Sequence, residues 1–431
     1  APTKSGHTFN GWFTDDGTFA NAWDFVNDTV SGDLTLHAQF APDFAKMLAS
    51  DGAIYDQFGY SVSISGDYAI VGAPSDGYTA SSGSAYIFHR TGTNSWDAGT
   101  KITASDGAAE DQFGWSVSIS GDYAIVGAVG DDDSGASSGS AYIFQRTGTT
   151  GTNSWDAGTK ITASDGASSD NFGRSVSISG DYAIVGAVGD DDSGASSGSA
   201  YIFRRTGTNS WDTGTKITAS DGAADDWFGI SVSISGDYAI VGAYQDDDNG
   251  TDTGSAYIFR RTATNSWDAG TKITASDGAG GDWFGSSVSI SGDYAIVGAW
   301  YDDDNGTDSG SAYIFRRTGT NTWDAGTKIT AADGAASDFF GTSVSISGDY
   351  AIVGAYQGDN NGIRSGSAYI FRRTGTNSWD AGTKIVAFDG ASGAPFGWSV
   401  SISGDYAIVG AYRDNDNGYL SGSAYIRWIA P

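Results

Sequence analysis

The chain alternates small polar and β-branched residues over short stretches that recur along its length. The first of these stretches, residues 61–65 (SVSIS), is followed by a Gly-Asp pair and by a mostly apolar stretch at residues 68–73. Alternation with a period of two predicts a strand with one buried face, and a two-residue Gly-Asp connection is typical of a tight hairpin. The pattern therefore predicts a β-hairpin in each copy.

Two further stretches complete each copy, for example residues 84–88 (SAYIF) and 101–104 (KITA). A Phe-Gly pair precedes each copy, and successive pairs lie 55 to 59 residues apart. Four short antiparallel strands repeated at this spacing are typical of the blades of a β-propeller. We predict an all-β fold, with a seven-bladed β-propeller over residues 43–431. The Phe residues of the seven pairs are Phe58, Phe113, Phe172, Phe228, Phe284, Phe340 and Phe396.

The two ends of the repeat region complement each other. The seventh copy stops after its third strand, residues 423–426, and lacks a fourth. Residues 46–51 (KMLASD) match the fourth-strand segment at residues 101–106 (KITASD) and precede the first copy. We predict that this N-terminal strand completes the last blade, which removes two sheet edges that would otherwise be free to pair with other chains.

The copies resemble FG-GAP repeats, the blades of the integrin α-subunit propeller and of many bacterial relatives. The resemblance is carried by the Phe-Gly and Val-Gly-Ala parts of the motif, which occur in all seven copies. It implies an extracellular or cell-surface binding module. Integrin-type blades often hold calcium in a loop between their first two strands. Here that loop is only Ser-Gly-Asp-Tyr, so this family site is not carried over.

The first forty residues resemble a different repeat. Residues 6–13 (GHTFNGWF), 23–25 (WDF) and 33–40 (DLTLHAQF) are similar to the second half of the Listeria–Bacteroides repeat, a small β-grasp-like module of bacterial surface proteins. We expect a partial, β-rich module over residues 1–42. It is either a truncated linker module or one that borrows a strand from a neighbouring subunit, which would allow self-assembly.

Composition narrows the classes of partner. The 431 residues include 22 basic and 52 acidic side chains, for a formal net charge of −30, and no cysteine. Such a surface repels nucleic acid and anionic membranes, and no apolar stretch approaches the roughly 20 residues that span a bilayer. We expect an extracellular or surface location, partners that are extracellular proteins or glycans, no nucleic acid and no membrane insertion.

Carboxylates concentrate in two loops per blade that we expect on one face of the propeller. The loop from the second to the third strand offers an Asp-x-Asp pattern, and the loop before each Phe-Gly adds further aspartates, such as Asp221 and Asp226. Oxygen-rich loops suit Ca²⁺, whereas Asp and Asn are also ordinary turn formers. Both interpretations stay open. The calcium candidates are Asp131, Asp133, Asp190, Asp192, Asp246, Asp248, Asp302, Asp304, Asp414 and Asp416.

A second set of candidates consists of positions at which near-identical blades differ. They follow the Phe-Gly pair, follow Val-Gly-Ala, or precede Phe-Gly, and most are aromatic. Aromatic clusters on an exposed face often mark binding surfaces, although loop edges also vary freely. The proposed ligand face comprises Tyr60, Trp115, Arg174, Trp227, Tyr244, Trp283, Trp300, Tyr356, Trp398 and Tyr412.

Catalytic signatures are missing from the sequence. His7, His37 and His89 are scattered, and there is no HExxH, phosphate-binding or dinucleotide-binding motif. We therefore predict a non-enzymatic adhesion or matrix module that presents an acidic, aromatic face to a protein or glycan. The alternatives are a lectin-like propeller that binds carbohydrate and a structural subunit of an extracellular filament or surface layer.

Overall fold

Each repeat folds as one antiparallel meander of four strands. The computed structural model describes residues 2, 7–14, 21–30, 32–42, 44–77, 81–148, 151–248, 250–359 and 362–429. Seven sheets run in the order first, second, third, fourth strand, and they form the blades of a β-propeller. The predicted fold class is confirmed. Within the described ranges there is no helix, and hence none long and apolar enough to cross a membrane.

The strand bounds repeat closely from blade to blade. The first strands are Ser61–Ser65, Phe113–Ser120, Phe172–Ser179, Val232–Ser235, Phe284–Ser291, Phe340–Ser347 and Ser399–Ser403. The second strands are Tyr68–Ala73, Tyr123–Ala128, Tyr182–Ala187, Tyr238–Ala243, Tyr294–Ala299, Tyr350–Ala355 and Tyr406–Ala411. The third strands are Ser84–Gly92, Ser140–Gln145, Ser199–Gly207, Ser255–Ala263, Ser311–Gly319, Ser367–Gly375 and Ser423–Trp428. The fourth strands of blades 1 to 6 are Thr100–Ile102, Thr159–Ile161, Thr215–Ile217, Thr271–Ile273, Thr327–Ile329 and Thr383–Ile385.

Short two-residue strands precede five of these fourth strands and pair back onto the third strand. Their tryptophans pack edge-on against the tyrosine that follows Gly-Asp in the preceding blade, as Trp211 does on Tyr123 at 6.2 Å between ring centroids. These tryptophans therefore join neighbouring blades. The short strands are Ser95–Trp96, Ser210–Trp211, Ser266–Trp267, Thr322–Trp323 and Ser378–Trp379.

The ring closes as the sequence predicts. The strand Phe44–Met47 pairs antiparallel with Ser423–Trp428, with Lys46 opposite Tyr425 and Met47 opposite Ala424. It supplies the fourth strand of blade 7, so that the outer edge of this sheet is covered by the N-terminal part of the chain. The closure also continues at the innermost strands, where the Ile64 backbone N–H donates to Ser401 Oγ at 3.1 Å.

The hydrophobic cores lie between neighbouring blades rather than inside single sheets. Each of the seven clusters joins one sheet face to the next, and the cluster between blades 7 and 1 completes the circle. The glycines of the motif permit this close approach. A Cβ added to Gly72, in the Val-Gly-Ala of blade 1, would lie 2.0 Å from the carbonyl oxygen of Gly114, in the Phe-Gly of blade 2. No side chain fits there.

The N-terminal segment forms a two-stranded antiparallel sheet of its own. His7–Phe13 pairs with His37–Pro42, and the register shifts between Phe9 and Gly11. The backbone N–H of Trp23 donates to the Trp12 carbonyl at 2.8 Å, which ties the connecting segment to the first of these strands. Both strands lie in the segment for which the sequence predicts a β-rich module.

Candidate functional site

One face of the propeller carries both predicted sets of side chains. In an antiparallel meander the loop from the second to the third strand and the loop leading to the next blade emerge on the same side. The first strands are innermost: they hydrogen-bond their counterparts around the ring, as the Val288 N–H does with Ser231 Oγ at 3.0 Å. Residues that follow Phe-Gly therefore lie near the axis, and the fourth strands lie farther out.

All ten residues of the proposed ligand face are brought together in one connected cluster, the aromatic belt. Successive ring centroids lie 4.7–6.1 Å apart from Trp227 around to Trp115, and the Arg174 guanidinium stacks on the Trp115 ring at 4.7 Å. Two residues outside the predicted set join the belt. Tyr301 lies 4.4 Å from Trp283, and Phe339 stacks on Tyr356 at 5.6 Å. The order in space is Trp227, Tyr244, Trp283, Trp300, Tyr356, Trp398, Tyr412, Tyr60, Trp115 and Arg174.

Six of the ten predicted belt residues line a cavity of about 320 Å³, which we call the axial pocket. This volume falls at the lower end of the range of about 300–1,000 Å³ that small-molecule sites occupy. The lining combines aromatic rings, hydroxyls and one guanidinium. Its residues are Trp115, Arg174, Ile230, Ser231, Tyr244, Trp283, Ser286, Ser287, Trp300, Thr342, Ser343 and Trp398.

Burial raises the pKa of four phenols of the belt, those of Tyr60, Tyr244, Tyr356 and Tyr412. It raises the pKa of Tyr60 to about 12, although the nearby Arg174 charge acts in the opposite direction. Burial likewise raises the pKa of Tyr244, again against the influence of Arg174. Arg174 is therefore within electrostatic reach of both hydroxyls, and it is the one charged residue that lines the axial pocket.

Three aromatic residues of this region adopt a backbone conformation that bulky side chains rarely take. The φ angles of Trp227, Trp283 and Phe339 are 58°, 59° and 56°. The equivalent residues of the first three blades are Gln57, Gln112 and Asn171, and they share this left-handed conformation. A bulky residue is an outlier in that region, and such outliers cluster at functional sites.

The carboxylates gather farther from the axis, around a lysine. In blade 4, Lys272 Nζ lies 2.9 Å from Asp221 Oδ2 and 2.8 Å from Asp246 Oδ2, and it also pairs with Asp248. The Tyr257 hydroxyl lies 2.8 Å from Asp221 Oδ1 and 2.7 Å from Asp246 Oδ2. We call this arrangement a carboxylate–lysine centre.

The same centre is built in four other blades, and a reduced form of it in the remaining two. Every predicted calcium candidate belongs to one of these centres. In blade 1 Lys101 meets only Asp51 and Asp76, and in blade 6 Lys384 meets only Asp333 among the described residues. The other full centres are Lys160 with Asp106, Asp131 and Asp133; Lys216 with Asp165, Asp190 and Asp192; Lys328 with Asp277, Asp302 and Asp304; and Lys46 with Asp389, Asp414 and Asp416.

Mutual hydrogen bonding favours the charged forms of Lys272 and Asp221 in the centre of blade 4. Burial opposes the ammonium of Lys272, but its contacts with Asp246, Asp248 and Asp221 outweigh this effect and raise its pKa. Burial likewise opposes ionisation of Asp221, whose pKa is nevertheless lowered by Lys272 and Tyr257. The pKa of the Tyr257 phenol is raised, because burial and the adjacent carboxylate of Asp246 both disfavour its ionised form.

These centres have the oxygen chemistry of a cation site. In blades 3 and 4 one oxygen from each of three aspartates lies within 4.8 Å of the others, close enough to hold a single cation. Calcium requires six to eight oxygens at about 2.3–2.6 Å. The middle of each centre is taken by Nζ, 2.7–2.9 Å from two carboxylates in every full centre. In the structure the lysine ammonium group lies among these carboxylates, and the aspartates of blades 3 and 4 are also close enough together to hold a metal ion.

The second aspartate of the loop before Phe-Gly has a separate role. Asp226 is 5% exposed and accepts a hydrogen bond from the Ala223 backbone N–H at 2.6 Å. Burial raises its pKa to about 6, and the neighbouring Asp246 and Asp248 charges add to the rise. Among the described residues no lysine pairs with Asp226. Burial and the neighbouring carboxylates therefore disfavour the charge that it carries at neutral pH.

Sequence reasoning missed the lysines, although the signal was available. The fourth strand reads Thr-Lys-Ile in blades 1 to 6 of a chain with few basic residues. Its pairing with the third strand sets lysine opposite the Ala-Tyr-Ile tyrosine, as Lys272 lies opposite Tyr257. Tyr301 was missed because it occupies a position at which the other blades carry no aromatic side chain.

The fold and the site together define a repeat propeller that supports a binding surface. A model of the FG-GAP repeat matches residues 42–88, 96–144, 155–203, 211–259, 267–315, 323–371 and 379–427. The chain belongs to the FG-GAP repeat family. A model of the Listeria-Bacteroides repeat domain matches residues 1–39, as the sequence resemblance indicates.

One curated relative is similar over a short segment. It is named "Putative Gly-rich membrane protein", comes from Evansella cellulosilytica, and is 54% identical over 39 residues. The aligned segment is 9% of this chain and 4% of that relative. The two repeat families together suggest an extracellular or surface protein, and FG-GAP propellers are typically non-catalytic binding modules.

Proposed function

We propose that this chain is a non-enzymatic recognition module of an extracellular or secreted surface protein, and that its ligand binds in the axial pocket. The observation that carries the proposal is that the ten predicted ligand-face residues form one connected cluster, and six of them line a single cavity. These positions differ between blades that are otherwise nearly identical. The blade fold therefore does not require these particular side chains, and their clustering beside one cavity supports a role in recognition.

The strained aromatic residues support the same proposal. A bulky residue in the left-handed region costs on the order of 1 kcal/mol or more, and such a cost persists where function uses it. Trp227 and Trp283 occupy positions at which Asn171 serves in blade 3 with the same φ. Retaining Trp283 gives the pocket an aromatic wall at the expense of backbone stability.

Calcium enters this proposal only as an alternative. We infer that the cation of each carboxylate–lysine centre is the lysine of the blade's own fourth strand, so that the aspartates of the loops serve architecture. Calcium binding by the ten candidate aspartates stays a prediction and is tested below. Self-assembly through the partial N-terminal module also stays a prediction.

The test is a binding screen of the whole chain. The purified protein is applied to printed glycans and to a panel of extracellular matrix proteins, beside the variant Trp283→Asn. We expect ligands retained by the wild type to be lost by this variant. A matched control is Trp211→Phe, which alters a tryptophan packed on Tyr123 away from the pocket. Equal binding by Trp283→Asn and the wild type would contradict the proposal.

A further inference from the structure

Arg174 is unusual for its position and for its charge. It follows the Phe-Gly pair of blade 3, where the other blades carry Tyr60, Trp115, Ile230, Ser286, Thr342 and Trp398. Six of the seven blades thus have no charged side chain at this position. The stability of the blade does not explain an arginine at this one position.

Among the described residues, the lysines of the blades and an arginine in each of six blades form ion pairs, and Arg174 differs from them in this respect. In six blades an arginine near the end of the third strand pairs with the aspartate of the Gly-Asp turn, as Arg205 does with Asp181. The lysines of the blades are held by the carboxylate–lysine centres. Arg174 forms no ion pair within the part of the chain that the structure describes, in a protein of net charge −30. A guanidinium beside a cavity and without an acidic partner can pair with an anionic ligand.

The orientation of Arg174 suits such a ligand. Its guanidinium stacks on the Trp115 ring at 4.7 Å. A guanidinium that lies over an aromatic ring can present its N–H edge to a planar carboxylate, which arginine binds through two parallel hydrogen bonds. The adjoining Tyr60 ring, 4.7 Å from Trp115, extends the same wall.

The rest of the lining is suited to a ring that bears hydroxyls. Ser231 Oγ and Ser343 Oγ accept hydrogen bonds from the backbone N–H groups of Val288 and Val400, both at 3.0 Å, so each hydroxyl retains its proton for donation. The Trp283 and Trp300 rings provide apolar surface against which the C–H face of a sugar ring can pack.

We propose that the axial pocket binds a carboxylate-bearing sugar residue of an extracellular glycan, with the carboxylate paired to Arg174 and the ring packed on the tryptophans. This inference rests on the proposed function and names the ligand class of that site. A neutral glycan and an acidic peptide are the competing ligands.

The experiment uses the full chain and a matched pair of probes, a tetrasaccharide containing glucuronic acid and its carboxyl-reduced counterpart. Affinity is measured by calorimetry for the wild type, Arg174→Gln and Arg413→Gln. The last variant removes one positive charge from a guanidinium that stacks on Tyr412 and does not line the pocket. We expect the wild type to prefer the acidic probe. Arg174→Gln should lose roughly ten- to a hundredfold in affinity for it, as expected for hydrogen bonds between charged groups, and Arg413→Gln should lose little.

Three outcomes would overturn the inference. They are equal binding of both probes, equal loss in the two arginine variants, or binding of an acidic peptide in place of the acidic sugar. If ligands found in the screen depend on Trp283 and not on Arg174, the proposed function holds and only the acidic-sugar assignment fails. If nothing bound depends on either residue, both fail.

Discussion

The carboxylate–lysine centres and the axial pocket lie on the same face of the propeller. The centres are made of repeated residues, whereas nine of the twelve residues that line the pocket occupy positions that vary between blades. Five blades build the centre from a lysine, a tyrosine and three aspartates. The pocket takes an arginine from blade 3, serines from several blades and tryptophans from blades 2, 5 and 7. In a repeat protein, identical positions report what each blade needs to fold, and divergent positions report what the assembled ring does.

The largest expected effect tests the structural half of this contrast. Replacing Lys272 by Met leaves the 3%-exposed Asp246 beside Asp221 and Asp248 without a counter-ion. We expect a loss of roughly 2–4 kcal/mol in the free energy of unfolding, because removing one partner of a buried pair leaves an uncompensated charge. Denaturant unfolding at pH 7 measures it. At that pH the lysine contribution is fully present, since the raised pKa of Lys272 means that the contribution is lost only under strongly alkaline conditions.

Blade 6 provides the control for this substitution. Lys384 pairs with Asp333 at 2.6 Å, and Gly358 stands where blade 5 has Asp302. Lys384→Met should lower the free energy of unfolding by less than about 1 kcal/mol, as expected for a more exposed pair.

Wild-type protein in chelator and in millimolar calcium should unfold at the same temperature. A higher temperature in calcium would favour the metal interpretation of the aspartate loops.

The sequence was informative wherever a local pattern repeats. The period-two strands, the Gly-Asp hairpins and the match between residues 46–51 and 101–106 predicted the blade and its closure. The residues of the proposed ligand face could be grouped from the sequence because they vary at equivalent places of otherwise similar blades, and equivalent places of the blades meet around the axis. The lysine was missed because an Asp-rich loop considered alone resembles a cation site. The counter-ion of this loop is a lysine of the fourth strand, 24 residues after Asp248, and strand pairing places it beside the loop.

An effect of intermediate size on stability is expected from the buried carboxylate of Asp226. Because the pKa of Asp226 is raised to about 6, its ionised form destabilises the fold above that pH, and the penalty disappears as the pH falls below about 4. Asp226→Asn keeps an oxygen for the Ala223 N–H. The variant should be more stable than the wild type by roughly 1–3 kcal/mol at pH 8, and the two should converge near pH 4.

The control here is Asp225→Asn, which removes the same charge from the exposed neighbour. Its φ of 66° is one that asparagine tolerates. This variant should differ from the wild type by a few tenths of a kcal/mol at most, as expected for a surface change. If Asp225→Asn and Asp226→Asn stabilise equally at pH 8, relief of the overall negative charge, rather than burial of Asp226, accounts for the gain.

The smallest expected effect on stability belongs to the pocket. Trp283→Asn gives blade 5 the residue that blade 3 uses at the same position, Asn171, with the same left-handed backbone. Relief of backbone strain should offset much of the lost packing against Tyr244, Trp300 and Tyr301, so that the free energy of unfolding changes by no more than about 1 kcal/mol. Chemical denaturation measures this change, and the screen described above measures binding. A loss as large as that of Lys272→Met would instead place Trp283 among the residues that hold the ring together. The division between repeated residues for folding and divergent residues for recognition would then be wrong at this position.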